Sequence, residues 1–310
     1  MKKTNKRVAR RVLQVVISGG VAVLFIAVLA FVTQSRDVPV LNPKGIISEQ
    51  QYLLILITVG LGIFVVVPVF ILLFSIAWKF RETNKKAKYQ PDFDGHAGLE
   101  ALWWGIPAII IVALAIITAI STHALDPYKP IVSDAKPVKV QVIALQWRWL
   151  FIYPEEGIAT LNYLNIPEDR PVDLTITSDA PMNSFWVPAL AGQVYAMSGM
   201  SSKLHLMANE VGIYEGMSAN MSGEGFATMR FKVHAMQGLE YTNWVNNLGD
   251  GLELLDYPTY QAVASKSTDT TPETFRLADT NIYDTVVMKY MHSTPEEMNH
   301  SDMNHDGMKM

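Results

Sequence analysis

Tyr52–Trp78 reads YLLILITVGLGIFVVVPVFILLFSIAW, a run with no charged side chain. It exceeds the ~20 residues an α-helix needs to cross a bilayer. Pro68 lies inside it, which a helix in lipid tolerates where a soluble helix would break. Tyr52 and Trp78 stand at its ends, where amphipathic aromatics favour the membrane–water interface. The run 52–78 is therefore a transmembrane helix. Lys79, Arg81, Lys85, Lys86 and Lys88 follow it with Glu82 as the one acid among them. Cations of this density on a short connection mark residues 79–100 as a cytoplasmic loop. A second uncharged span, 101–122, begins with Trp103 and Trp104 and is followed by His123. The two spans form an α-helical transmembrane hairpin whose outer ends lie outside the cytoplasm, and everything after His123 lies there too.

Composition agrees with a membrane chain. Of 310 residues 50% are hydrophobic and only 17% charged, high and low respectively for a soluble protein. The net charge of -4 gives no nucleic-acid signal. There is no cysteine, which excludes disulfides, thiolate metal sites, Cys nucleophiles and lipid attachment through a cysteine.

Upstream, residues 1–11 hold Lys2, Lys3, Lys6, Arg7, Arg10 and Arg11 and no acid, and Val12–Val32 is uncharged and apolar. Residues 1–32 read as a signal peptide or an N-terminal anchor. The apolar run is long for a signal peptide, yet Val28-Leu29-Ala30 would serve as a cleavage site. Pro39 and Pro43 forbid a long helix between this segment and the first span.

Downstream the period changes to two. Val138, Val140, Val142 and Ala144 alternate with Lys139, Gln141 and Ile143, and Trp147, Trp149 and Phe151 continue the alternation on one face. Val172–Thr177, Lys203–Leu206 and Met229–Val233 also read as strands, separated by turn-rich pieces. Short strands at this spacing, over 137–234, make an all-β sandwich or barrel. Residues 235–290 turn helical and aromatic, with Tyr241, Trp244, Tyr257, Tyr260, Phe275, Tyr283 and Tyr290, and read as a small helical extension laid on a surface. The tail 291–310 alternates Met and His with polar residues and reads as a disordered Met/His tail.

Within the β region, Gly212–Met229 (GIYEGMSANMSGEGFATM) reads as a Gly-rich loop between two strands. Such loops let small side chains converge on a point. Ser218, Asn220, Ser222 and Phe226 occupy places where metal ligands would stand, and Met229 is a soft donor.

The order of parts resembles subunit II of the haem–copper respiratory oxidases. Glu100-Ala101-Leu102-Trp103-Trp104-Gly105-Ile106-Pro107 is similar to that family's approach to its second helix, and Gln146-Trp147-Arg148-Trp149 to its W-x-W strand. Asn183–Pro188 and Gly212–Gly216 match the two loops that carry a dinuclear copper centre in the cytochrome c oxidases. The resemblance implies a cupredoxin-like sandwich for 137–234. It also implies a copper ligand set of His in the first loop and C-x-E-x-C-x-x-x-H-x-x-M in the second. Carried onto this chain, those positions are Asn183, Ser218, Asn220, Ser222, Phe226 and Met229, so only the methionine is retained. Loss of the copper set with retention of the scaffold resembles the quinol oxidases, and the aromatic extension and tail are most similar to the cytochrome bo-type ubiquinol oxidases. Relatives of this type often carry a lipobox Cys after the first apolar run, where this chain has Thr33-Gln34-Ser35.

The resemblance implies a non-catalytic subunit of a proton-pumping ubiquinol oxidase that reduces oxygen to water. It implies no cofactor in this chain, with haems and one copper in partner subunit I. The partners it implies are subunits I, III and IV, ubiquinol as substrate of the complex, and membrane lipid. It places the chain in the bacterial inner membrane, multi-pass, with the C-terminal domain periplasmic. Trp147, like Glu100, is a candidate subunit contact, and without copper its expected role is packing. Glu100 either faces subunit I or caps its helix. Two other readings stay open: subunit II of a menaquinol oxidase, and a membrane-tethered periplasmic copper carrier using Met217, Met221, Met229 and the tail.

Overall fold

The computed structural model describes residue 30 and residues 38–87, 95–248 and 251–291. The expected N-terminal signal or anchor, 1–32 apart from Ala30, and the expected tail beyond Met291 lie outside the described residues, as does 88–94 of the basic loop. The chain divides into two units, Met1–Asn42 and Pro43–Met310. In the first, Pro39–Leu41 forms a single 3-10 turn.

The second unit begins with two long helices. Helix α1, Ile46–Lys79, has 34 residues and carries Pro68 inside it. Helix α2, Ala97–Ala124, has 28 residues and carries Pro107. Both are long and apolar enough to cross a membrane, and their large side chains point outward, as Trp104 and Ile109 do. Helix α1 extends six residues ahead of Tyr52 because its first turn belongs to the β region. Ser48 Oγ accepts from Gly45 N–H and donates to Ala189 O at 2.7 Å. Helix α2 is capped by His96, whose Nδ1 accepts from Leu99 N–H at 3.4 Å. Glu100 is therefore not the cap. It sits in the first turn, where the helix dipole still favours a carboxylate.

Two sheets face each other. One has the strand order β11-β12-β3-β2-β1-β5-β8 and the other β4-β10-β9-β6-β7. Their ranges are β1 Val138–Ala144, β2 Trp149–Tyr153, β3 Ile158–Leu161, β4 Tyr163–Pro167, β5 Val172–Ser178 and β6 Asn183–Trp186. The rest are β7 Val194–Ala196, β8 Ser202–Leu206, β9 Gly212–Ser218, β10 Arg230–Met236, β11 Leu254–Leu255 and β12 Glu273–Leu277. The main core lies between the sheets. At its centre Trp149 meets Phe185 edge-on at 5.4 Å, and Phe231 stacks on Phe185 at 5.1 Å. Each such ring contributes ~2–3 kcal/mol through burial and ~1 kcal/mol through the ring pairs.

Three helices follow: α3 Gly238–Asn246, α4 Tyr257–Val263 and α5 Ile282–Met291. The extension is more than a helical layer. Its strand β12 pairs antiparallel with β3, matching Phe275 to Ala159, and so lengthens the sheet. Tyr260, Phe275, Ile282, Tyr283 and Val286 cover the outer face of β1 to β3, forming a second core with Ile143, Leu150, Ile152 and Leu161. A strand buried on both faces reads as a continuous apolar run, which is why Trp149–Tyr153 has no polar residue.

The extension is pinned by a buried carboxylate. Asp179 accepts from Tyr260 Oη at 2.6 Å, Tyr290 Oη at 2.7 Å and Lys289 Nζ at 2.7 Å. Burial, then the hydrogen bond and charge of Asp179, push the Tyr290 phenol up to about 12. Burial and Asp179 also raise Tyr260.

Candidate functional site

Gly212–Met229 is not one loop. Its first seven residues are strand β9, bonded to β10 on one side and to β6 on the other. The glycine at 216 serves the strand: a Cβ there would stand 2.1 Å from the Phe231 ring. The loop proper begins after Ser218 and closes with a 3-10 turn, Phe226–Thr228.

The expected site residues gather at this end of the sandwich. Asn183 opens β6 and Ser218 ends β9, and both are buried, at 1% and 4% exposure. Ser218 Oγ lies 3.0 Å from Asn183 Oδ1, to which it donates, and 3.2 Å from Asn220 O. Asn183 Nδ2 donates to Pro181 O at 2.7 Å, and Asn220 Nδ2 to Met182 O at 2.9 Å. Ser218 N–H donates to Met229 O. The Met229 side chain, 1% exposed, belongs to the main core. Ser222 enters through its carbonyl, which accepts from Trp147 Nε1 at 3.0 Å, while its buried Oγ has no hydrogen-bond partner among the described residues. Phe226 sits half-buried in the 3-10 turn. Glu100 stands apart in the first turn of α2, a helix spanning about 40 Å.

Trp147 does not continue a strand face. Leu145 and Arg148 close a tight turn, with Leu145 N–H donating to Arg148 O at 2.9 Å, and Trp147 adopts a left-handed φ of 75°. Its indole slides beneath the loop. A Cβ on Gly225 would lie 2.2 Å from Trp147 Cδ2, so that position admits only glycine while the ring stays.

Sequence reasoning missed the residues that come in from the extension. Lys266 Nζ sits 4.9 Å from the Trp147 ring centre and 3.6 Å from Glu224. The buried Arg148 guanidinium donates to Val263 O and Ser265 O at the end of α4. An arginine between two tryptophans was the available signal, since such a cation, once buried, needs acceptors.

The donors on offer are neutral. They comprise one amide oxygen already bonded, two hydroxyls, one further amide, a phenyl ring and one core thioether. Copper pairs call for thiolate and imidazole, so the residues present do not fit the dinuclear centre of the cytochrome c oxidases. Among the described residues no three His, Cys, Asp or Glu side chains converge on a metal position.

Three family patterns match the chain. They are "Cytochrome C oxidase subunit II, transmembrane domain" over residues 42–119, "Cytochrome C oxidase subunit II, periplasmic domain" over 157–236 and "COX Aromatic Rich Motif" over 253–294. The chain is 46% identical over 266 residues to the cytochrome bo(3) ubiquinol oxidase subunit 2 of Pseudomonas putida, a match covering 86% of this chain and 83% of that protein. It is 42% identical over 256 residues to the subunit of the same description in Pseudomonas aeruginosa, covering 83% and 77%. Against the ubiquinol oxidase subunit 2 of Acetobacter aceti the identity is 43% over 256 residues, covering 82% and 83%.

Proposed function

This chain belongs to the subunit II family of the haem–copper oxidases, and from that premise we propose that it is the non-catalytic subunit II of a proton-pumping ubiquinol oxidase reducing oxygen to water. It is similar to quinol oxidase subunits across most of its length. What supports the finer reading is the neutral donor set at the loop end: the resemblance assigns Asn183, Ser218, Asn220, Ser222 and Phe226 to copper-ligand positions, with Met229 alone kept. Seryl hydroxyls stay protonated at neutral pH and a phenyl ring has no lone pair to donate, so electrons have no metal relay here. A donor dissolved in water needs such a relay on the outer surface. A quinol dissolved in the membrane delivers its electrons within the bilayer and does not.

In this reading the haems and the one copper belong to subunit I, subunits I, III and IV are the partners, and the β domain lies in the periplasm. The chain contributes scaffold. Helices α1 and α2 present apolar surface to lipid and to the partner subunits, and the sandwich is carried above them. Metal analysis and spectroscopy of the purified complex test this. The expected result is haem with a single copper at the oxygen site, and ubiquinol-driven oxygen consumption. A mixed-valence dinuclear copper signal assigned to this subunit would overturn the reading.

A further inference from the structure

Two residues outside glycine that adopt left-handed backbone flank the same hairpin, β2 and β3. Trp147, at φ 75°, precedes β2, and Asn162, at φ 61°, follows β3, the strand paired with it. Neither sits there for free, since left-handed backbone at a non-glycine residue costs on the order of 1 kcal/mol or more and persists only where surroundings hold it. In both cases holding groups come from one segment of the C-terminal extension, beside local bonds such as that from Trp149 N–H to Asn162 Oδ1.

That segment is Val263–Thr271. Arg148, beside Trp147, donates into it at Val263 O and Ser265 O. Ser267 N–H returns a bond to Gln146 O at 3.3 Å. Lys266 lies over the indole at 4.9 Å. Asn162 Nδ2 donates to Asp269 O and Thr271 O at 3.2 and 3.3 Å, while its Oδ1 accepts from Trp149 N–H. The segment thus crosses the hairpin and ties down both strained residues.

On its other side Trp147 meets the loop. Its Nε1 holds Ser222 O, and its ring fills the space that Gly223 and Gly225 leave open. Lys266 touches the loop directly as well, through Glu224 at 3.6 Å.

We infer that Val263–Thr271 is a strap that locks Trp147 in its left-handed conformation and, through the inserted indole, holds the loop between Ser218 and Met229 closed. The extension is then more than a cover for the second core. It sets the order of the loop end of the sandwich, in the place where a bound metal would otherwise cross-link the two loops. This holds whichever electron donor the complex uses.

Coupling of this kind is reciprocal: what loosens the strap loosens the loop, and the reverse. Amide hydrogen exchange of the full-length chain in its purified membrane complex reads both sides. The reporters on the loop are the bonded N–H groups of Phe226, Thr228 and Met229. The reporter on the strap is Ser267 N–H, bonded to Gln146 O. Lys266→Met keeps the aliphatic stem and removes the cation, and about threefold faster loop exchange is expected, the size of a cation–π contact. Arg148→Met removes two bonds to the strap, and about tenfold faster loop exchange is expected. Gly225→Ala attacks from the loop side by displacing the indole, and Ser267 must then exchange faster. Strands β1 and β5 serve as internal controls and keep their rates. If Arg148→Met does not fold, the other two variants decide. Loop exchange unchanged in Lys266→Met, or Ser267 exchange unchanged in Gly225→Ala, would overturn the proposal.

Discussion

Ser218 and Asn183 join the two loops through a 3.0 Å hydrogen bond, and the geometry around it makes the proposed copper-position mapping testable residue by residue. Both side chains are buried and face one another at 3.0 Å. Introducing Ser218→Cys, Ser222→Cys, Asn183→His and Phe226→His supplies two thiolates and two imidazoles on the same backbone. The expected outcome is copper uptake as a thiolate-bridged pair, seen by visible absorption and metal content of the purified variant. Met229 is the weak member, because its thioether packs in the core and must turn toward the loops. A variant that folds yet takes up no copper would mean that these positions do not superpose on a ligand set.

The expected outcome for the extension is an attachment that weakens at high pH, because titratable groups hold it. Tyr290 and Lys289 of α5 and Tyr260 of α4 converge on Asp179. The folded Tyr290 phenol is held up to about 12, by burial first and then by Asp179, against ~10 in the unfolded chain. For Lys289 burial works against the charge, but the hydrogen bond and charge of Asp179 outweigh it and the ammonium is raised. Groups raised in the folded state stabilise fully below their unfolded pKa and lose that contribution as pH climbs through the folded value. The thermal midpoint should therefore fall between about pH 10 and 12, and less steeply in Tyr290→Phe. Equal slopes in both proteins would rule out this clamp. Much at this scale was legible in the sequence. The two uncharged spans gave the helices, and the alternation at Val138–Ala144 gave β1. Two things were not. Trp147 carries no glycine or asparagine to announce a left-handed turn, because the holding groups lie more than a hundred residues downstream. The strands of the extension were hidden for the same reason: Phe275 and Leu255 look like helix packing until Ile143, Leu150 and Ile152 need a cover on their second face. Hydropathy reports which residues are buried, and the partner that buries them is fixed only by the tertiary fold.

At the scale of the whole second unit, helix α1 is built into the β region. Ile47 packs on the main core, and Ser48 bonds Ala189 O. Lys44 N–H donates to Ala189 O at 2.7 Å, Asn209 N–H donates to Lys44 O at 2.9 Å, and Gly45 bridges to Ala208. The backbone passes so close here that a Cβ on Gly45 would stand 2.6 Å from Met207 O and 2.9 Å from Leu190 O. Its conformation is ordinary extended backbone, so the demand is for space and not for unusual dihedrals. Both obstacles are main-chain carbonyls, which cannot rotate away as a side chain would. Gly45→Ala must therefore shift the start of α1, at a cost of roughly 1–3 kcal/mol typical of overpacking. A helix of 34 residues is about 50 Å long, and a tilt of about 10° at its base moves the far end by roughly 9 Å. The expected outcome is a folded β domain by circular dichroism, but a chain that is largely lost from the other oxidase subunits when the complex is purified. Undiminished recovery of Gly45→Ala in the complex would show that the helix does not need this junction to find its place.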